Sequence, residues 1–260
     1  MKKAVLTTTI LSLLLPLTSG EAQNINSRVI GLSSGDIVLL DNNVKGLNVE
    51  GQLDNDNNVS YVDIHTFEGK AGETIVINLI SDDFDAFLIL EDPDSEIIAS
   101  NNDGGKGENA RIVIELQKTG TYTVLVTKVK ADERGNYQLS TRQATETDIA
   151  LDKAEKLNEQ VVQLYKERKY NEAIPLAEQA LAIRKEQLGD NHPSTATSLN
   201  NLAELYDSQG RYTEAEPLYV QALAIRKEQL GDNHADTANS LNNLAVFYHV
   251  QGRYTEAEPL

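Results

Sequence analysis

Oxygen-bearing side chains crowd three short stretches of the N-terminal half: Asp82, Asp83 and Asp85; Asp92, Asp94 and Glu96; and Asn101, Asn102 and Asp103. Calcium draws about six to eight oxygen ligands from loops of this composition. Asp92, Asp94 and Asp103 are therefore the candidate ligands of a calcium-dependent surface-binding domain. An EF-hand loop counted from Asp92 fails, because its turn glycine would fall on Ile97 and its bidentate glutamate on Asp103. The competing reading is that Asp and Asn make turns and keep strand ends solvated.

Nitrogen and sulfur chemistry has little to work with. The chain has no cysteine and four histidines, so thiol nucleophiles, Cys-ligated zinc and disulfides fall away. Neither His65 nor His249 has a second histidine three or four positions on. His192 and His234 recur 42 residues apart in identical Gly-Asp-Asn-His tetrads. A catalytic residue need not recur, so both histidines read as structural, with Asp190 or Asn191 expected to cap the following helix. No HExxH, GxSxG, Walker or GxGxxG pattern occurs. The expectation is a protein that is not an enzyme and carries no cofactor, calcium being the one candidate.

Charge narrows the partners. Forty acidic against 23 basic side chains give a net charge of −17, which repels phosphate backbones and anionic headgroups. Nucleic acid and membrane surfaces are not expected partners. At the N-terminus, Lys2 and Lys3 precede an apolar run from Ala4 to Leu17, and Gly20-Glu21-Ala22 offers the small residues a signal peptidase needs. About 14 apolar residues, broken by threonines and Pro16, are too few to span a bilayer. Residues 1–22 thus read as a cleaved signal peptide and 23–34 as a linker, predicting an exported, periplasmic or extracellular protein without a membrane span after cleavage.

The elements that hold these residues fall into two kinds. From 35 to 142, short β-branched runs alternate with Gly, Asp and Asn clusters. Strands are expected at 59–67, 74–81, 86–90, 96–99, 111–116, 121–128 and 136–140. Ile75, Ile77 and Leu79 share one face of such a strand, as do Tyr122, Val124 and Val126. Period-two patterning with frequent turns predicts an antiparallel β-sandwich. Loops are expected at 54–58, 101–107 and 130–135. A polar connector over 143–149 follows, and from 150 to 260 the chain reads as helical.

Here the sequence repeats itself. Tyr170–Arg211 and Tyr212–Arg253 are two 42-residue units with eleven mismatches, hence 31 identical positions. A third copy begins at Tyr254. Ala215, Leu218, Tyr219, Ala222, Leu223 and Ile225 form a helical stripe, and Gly231-Asp232-Asn233-His234 ends it. Each unit is a pair of antiparallel helices that buries its apolar sides only by stacking on its neighbours. The fold class is multidomain, an antiparallel β-sandwich followed by an all-α solenoid of helical hairpins.

Leu199, Leu202, Ala203 and Tyr206, then Gly210, Tyr212, Ala215, Tyr219 and Ala222, resemble the tetratricopeptide repeat. The 42-residue period, with Tyr212-Thr213-Glu214-Ala215-Glu216-Pro217-Leu218 and Leu230-Gly231-Asp232-Asn233-His234, is similar to the kinesin-light-chain type. That resemblance implies a non-catalytic scaffold binding a protein or peptide on the concave face lined by the first helix of each pair. Counted from the matched core, Thr197, Asn200, Asn201 and Glu204, then Asn239, Asn242, Asn243 and Val246, occupy that face. Their amides could hydrogen-bond an extended peptide or merely stitch adjacent repeats together.

Tyr61, Asp63 and Phe67, Gly72 to Ile77, Phe84 to Leu88, Ala99 to Asp103 and Thr119 to Val124 together resemble the bacterial pre-peptidase C-terminal domain. That resemblance implies an accessory sandwich on a secreted protein. The third repeat stops inside its second helix, which leads to the expectation of a fragment of a longer array. The alternatives to a free scaffold are the regulatory front of a longer secreted caspase-like protease and the calcium-dependent sandwich.

Overall fold

Apolar alternation at period two fixes which side of each strand of the first unit meets the core. In the computed structural model, which describes residues 47–53, 62–102, 109–130 and 133–259, the chain divides into units Met1–Ala144 and Thr145–Leu260. The leader and linker expected over 1–34, the loop over 54–58 and Asp103 lie outside the described residues.

The described part of the first unit holds β1 (Asn48–Leu53), β2 (Asp63–Gly69), β3 (Thr74–Ile80), β4 (Ala86–Glu91), β5 (Ile97–Asn101), β6 (Ala110–Glu115), β7 (Gly120–Lys128) and β8 (Gly135–Gln143). They form two four-stranded antiparallel sheets, ordered β1-β8-β3-β6 and β2-β7-β4-β5. Ile75, Ile77 and Leu79 face Leu88, Leu90, Tyr122, Val124 and Val126 in one core, on the side the alternation selects. Burial of such side chains supplies about 1.5–3 kcal/mol each.

Two boundaries differ from the sequence reading. β1 was not expected, because Asn48-Val49-Glu50-Gly51-Gln52-Leu53 carries polar residues and a strand-weakening glycine. That glycine is required: a Cβ on Gly51 would lie 2.2 Å from Cζ of Tyr137, its partner in the β1–β8 ladder. The connector expected over 143–149 is also shorter. β8 runs through Gln143, and the next helix begins at Glu146 behind a Thr145/Asp148 capping box. The outer ends of β8 pair with β3, Gln143 opposite Ile75, which a reading without partners could not supply.

The second unit is helical: α1 (Glu146–Lys166), α2 (Tyr170–Leu188), α3 (Pro193–Ser208), α4 (Tyr212–Leu230), α5 (Ala235–Val250) and α6 (Tyr254–Ala257). Each packs on the next in chain order. Ala173, Ala177, Ala203, Ala215 and Ala222 are almost fully buried where helices approach, and Leu202, Leu205, Tyr219, Leu244 and Phe247 fill the space between them.

Asp190 and Asn191 do not cap α3, nor do their counterparts cap α5. The caps are the histidines: His192 Nδ1 accepts the Ser194 amide at 3.1 Å, and His234 Nδ1 accepts the Asp236 amide at 3.1 Å. A neutral imidazole lone pair serves as an N-cap oxygen would. Asp190 instead pairs with Lys185 at 3.3 Å.

Candidate binding face and the polar sites

The first helices, α1, α3 and α5, carry asparagines in register. Asn158 is matched 42 residues on by Asn200 and again by Asn242. The bonds between repeats run at an offset of 43. Asn201 Nδ2 donates to Asn158 Oδ1, and Asn243 Nδ2 donates to Asn200 Oδ1 at 3.1 Å. Asn243 Nδ2 also reaches Glu204 Oε1 at 3.0 Å, where Asn200 Nδ2 donates at 2.7 Å. Asn200, Asn201, Asn243 and Glu204 are thus brought together across adjacent repeats. Asn239 and Asn242 are exposed, and the side chain of neither makes a hydrogen bond to a described residue. Val246 is 52% exposed.

Burial raises the Glu204 carboxyl above its ordinary value, and nearby Asp207 adds to the rise; the Asn200 amide and Arg226 oppose it.

Thr197 belongs to a second polar ladder that sequence reasoning missed. Arg184 of α2 and Arg226 of α4 lie 42 residues apart and are only 5% and 7% exposed. Each bridges to the next first helix: Arg184 donates to Ser198 Oγ at 2.8 Å and Arg226 to Ser240 Oγ at 2.7 Å. Each also reaches a helix-start carbonyl, of Ser194 or Asp236. The other terminal nitrogen differs. Arg184 pairs with Glu155 Oε2 at 2.5 Å, while Arg226 finds only Thr197 Oγ1 at 3.1 Å. Arg226 Nε is buried with no acceptor, and burial lowers the pKa of this guanidinium. The missed signal was an arginine on a buried stripe, three residues beyond Leu223 and seven beyond Tyr219.

In the sandwich, the described candidates Asp92 and Asp94 are already engaged. Asp92 Oδ1 accepts the amides of Asp94 and Glu96 at 2.9 and 3.1 Å, an Asx-type turn. Lys118 Nζ lies 2.5 Å from Asp92 Oδ2 and 2.6 Å from Asp94 Oδ2. The ammonium of Lys118 holds Asp92 below the usual carboxylate range and is itself pushed up by the two carboxylates. Asp83 Oδ2 accepts the Asn136 amide at 2.8 Å. Among the described residues no group of three or more His, Asp and Glu is arranged around a metal position.

A polar cluster spans the two sheets instead. Tyr137 of β8 donates its hydroxyl to Asp63 Oδ2 at 2.7 Å, and His65 Nε2 lies 2.8 Å from the same oxygen of Tyr137. The phenol has one proton, given to the carboxylate, so His65 carries hydrogen on Nε2. Burial lowers the His65 pKa against the opposing pull of Asp63, and burial together with Asp63 pushes Tyr137 up.

These two units define a class: a two-sheet β-sandwich followed by stacked helical hairpins whose polar ties recur once per repeat. Residues 152–228 and 208–260 match the sequence model of the tetratricopeptide repeat, and residues 61–128 match that of the bacterial pre-peptidase C-terminal domain. The chain therefore carries tetratricopeptide repeats behind a pre-peptidase C-terminal-type sandwich. No curated protein matches.

Among solved structures, BtubC (BKLC) from P. vanneervenii is 27% identical over 41% of this chain and 42% of its own, with a TM-score of 0.38. A putative kinesin light chain with nearly identical TPR-like repeats, from Podosopora anserina, is 31% identical over 40% of this chain and 49% of its own, with a TM-score of 0.38. The pre-peptidase C-terminal domain of collagenase from Bacillus anthracis is 18% identical over 45% of this chain and 100% of its own, with a TM-score of 0.33. The chain thus spans less than half the length of either repeat structure. No described helix is long and apolar enough to cross a membrane.

Proposed function

We propose that this is an exported, non-catalytic scaffold whose tetratricopeptide repeats receive a protein or an extended peptide on the face formed by α1, α3 and α5. The observation that carries the reading is the recurrence of a carboxamide at one register position of three successive first helices, Asn158, Asn200 and Asn242. Asn201 and Asn243 tie these helices together, and Asn239 and Asn242 are exposed on α5, after which no further first helix is described. An exposed carboxamide offers two donors and an acceptor, enough to pair with a peptide backbone. Tetratricopeptide repeats are themselves protein-interaction modules, which supports the coarser half of the reading.

The test is a peptide array probed with the full chain and with Asn239→Ala and Asn242→Ala variants. Bound peptides should be weakened by both changes. Binding that ignores both would remove the face from consideration. Export rests on Lys2, Lys3, the apolar run and Gly20-Glu21-Ala22. A mature N-terminus at Gln23, read by mass spectrometry on protein recovered outside the cytoplasm, is the expected result.

A further inference from the structure

The two outer faces of the sandwich differ in kind. Outside the β2-β7-β4-β5 sheet, Val62, Ile89 and Leu125 are buried among apolar neighbours. Outside the β1-β8-β3-β6 sheet, register sets polar side chains opposite one another. Glu50 of β1 stands opposite Gln138 of β8, Gln138 stands opposite Ile80 of β3, and in the next row Gln52 stands opposite Asn136. With the turn that follows β3, these rows line an open cavity of about 630 Å³.

One wall of the cavity is fixed. Asp83 Oδ2 accepts the backbone amide of Asn136 at 2.8 Å, and a Cβ on Gly135 would collide with Asp83, so the turn and β8 approach this closely only with glycine there. The remaining polar groups are unspent. Glu50, Gln52, Asp82 and Gln138 are exposed, and the side chain of none makes a hydrogen bond to a described residue. Beside them Ile80 is 45% exposed. No lysine or arginine is among the described residues that line the cavity.

Ligand classes fit this lining unequally. An anion is repelled by Glu50 and Asp82. A bare cation uses those carboxylates and leaves Gln52, Gln138 and Ile80 idle. An apolar ligand strips water from hydrogen-bonding side chains and returns nothing. A neutral sugar engages them all: its hydroxyls donate to carboxylate and carboxamide oxygens and accept from the carboxamide N–H groups, while the C–H face of a ring covers the isoleucine. Adjacent strands lie about 4.8 Å apart, near enough for two side chains of a row to hold one pyranose ring.

We propose that this cavity binds a neutral oligosaccharide, with Gln52 and Gln138 bonding its hydroxyls and Ile80 packing under a ring face. The site belongs to the sandwich and does not depend on the receptor reading of the repeats.

Saturation-transfer NMR on the full chain tests it with four neutral hexasaccharides: cellohexaose, maltohexaose, xylohexaose and N-acetylchitohexaose. Hexaglucosamine and hexagalacturonate serve as the cationic and acidic counterparts. At least one neutral probe should bind with a Kd of about 1 mM, and the acidic probe should not bind. Gln52→Ala and Gln138→Ala alter solvent-facing residues and should each weaken the neutral probe by about fivefold. Ile80→Ser should weaken it by about threefold. Asn242→Ala, in the repeats, should leave it unchanged.

No binding of any neutral probe at about 10 mM overturns the proposal. So does binding of the cationic probe as tight as that of the best neutral one, because the cavity would then be attracting charge alone. Neutral binding untouched by the changes at Gln52, Gln138 and Ile80, or lost on Asn242→Ala, overturns it as well by placing the sugar elsewhere.

Discussion

The sandwich and the repeat unit both bury polar side chains, but they do so differently. In the sandwich, Asp63, Tyr137 and His65 meet once, through residues more than 70 positions apart in the chain. In the repeats, Arg184 with Ser198 and Arg226 with Ser240 are the same contact made twice, each over 14 positions. A singular cluster has no substitute if one member goes. A recurring contact can drift in one copy while the other holds, and the exchange of Glu155 for Thr197 beneath the two arginines is such a drift. The sandwich should therefore be brittle and the array tolerant at equivalent burial.

The largest break is expected at Gly51. An alanine Cβ there would lie 2.2 Å from the Tyr137 ring and 2.3 Å from its hydroxyl, and the ring is pinned by Asp63 and His65 and by core packing. Gly51→Ala should cost about 3 kcal/mol or more by expelling the ring and both of its hydrogen bonds. Hydrogen-exchange mass spectrometry of the full chain should show protection lost across β1, β8 and β2 while α1 to α5 stay unchanged. Retained protection in β8 would mean that the ring has room to move.

Tyr137→Phe is gentler. It keeps the ring and removes the hydroxyl shared by Asp63 and His65, and should cost about 2 kcal/mol. The same cluster gives the sandwich a pH dependence. Burial depresses the His65 pKa below its ordinary 6.5, so the unfolded chain binds the proton more readily. Its contribution is fully present above that ordinary value and is lost as pH falls from there towards the lower folded-state value. His65→Gln should flatten this slope in urea titrations across the acid range. An unchanged slope would exclude His65 as its source.

How much of this was legible follows the same division. Period-two alternation located seven strands and chose the buried side of β3 and β7, because half-burial writes itself into neighbouring residues. β1 escaped because its warrant, the space under Tyr137, lies 86 residues away in the chain. In the array, tandem identity announced the hairpins and brought Asn158, Asn200 and Asn242 to one register. It could not say which asparagine of each Asn-Asn pair would donate to the preceding repeat. Neighbouring repeats lie on opposite flanks of a helix, and one residue turns the side chain by about 100°. The stitch consequently runs from the second asparagine of one repeat to the first of the preceding repeat. The histidine caps were misread because Asp and Asn are the commoner caps, and nothing local announces that Nδ1 of the next residue has taken the place.

The drift between copies can be reversed. Thr197→Glu would place beneath Arg226 the carboxylate that Glu155 supplies to Arg184, and should stabilise the array by about 1 kcal/mol, an amount limited by the solvent exposure seen for the Glu155 carboxylate in the first pair. Urea denaturation followed by helical circular dichroism reads it. A loss of stability instead would show that the second site has no room for a carboxylate and that the two copies differ in shape as well as in sequence.

The smallest test concerns three turns that share one backbone. Gly210 and Gly252 hold φ of 73° and 74°, and the matching position of the first hairpin is Arg168 at 60°. The hydrogen bonds around the three are alike: the amide of the left-handed residue reaches Tyr165, Asp207 or His249, and the next amide reaches Leu164, Tyr206 or Tyr248. Space is not at issue at Gly210, since a Cβ there would meet nothing within 4 Å. Only the left-handed backbone penalises a side chain, by roughly 1–2 kcal/mol, partly offset by the roughly 0.5–1 kcal/mol that glycine loses in chain entropy. Arg168→Gly should thus stabilise the first hairpin by about 0.5 kcal/mol, and Gly210→Ala should destabilise the second by a similar amount. If both substitutions shift the urea midpoint in the same direction, the matching dihedral angles do not make the three turns energetically equivalent, and the first hairpin has compensated for Arg168 elsewhere.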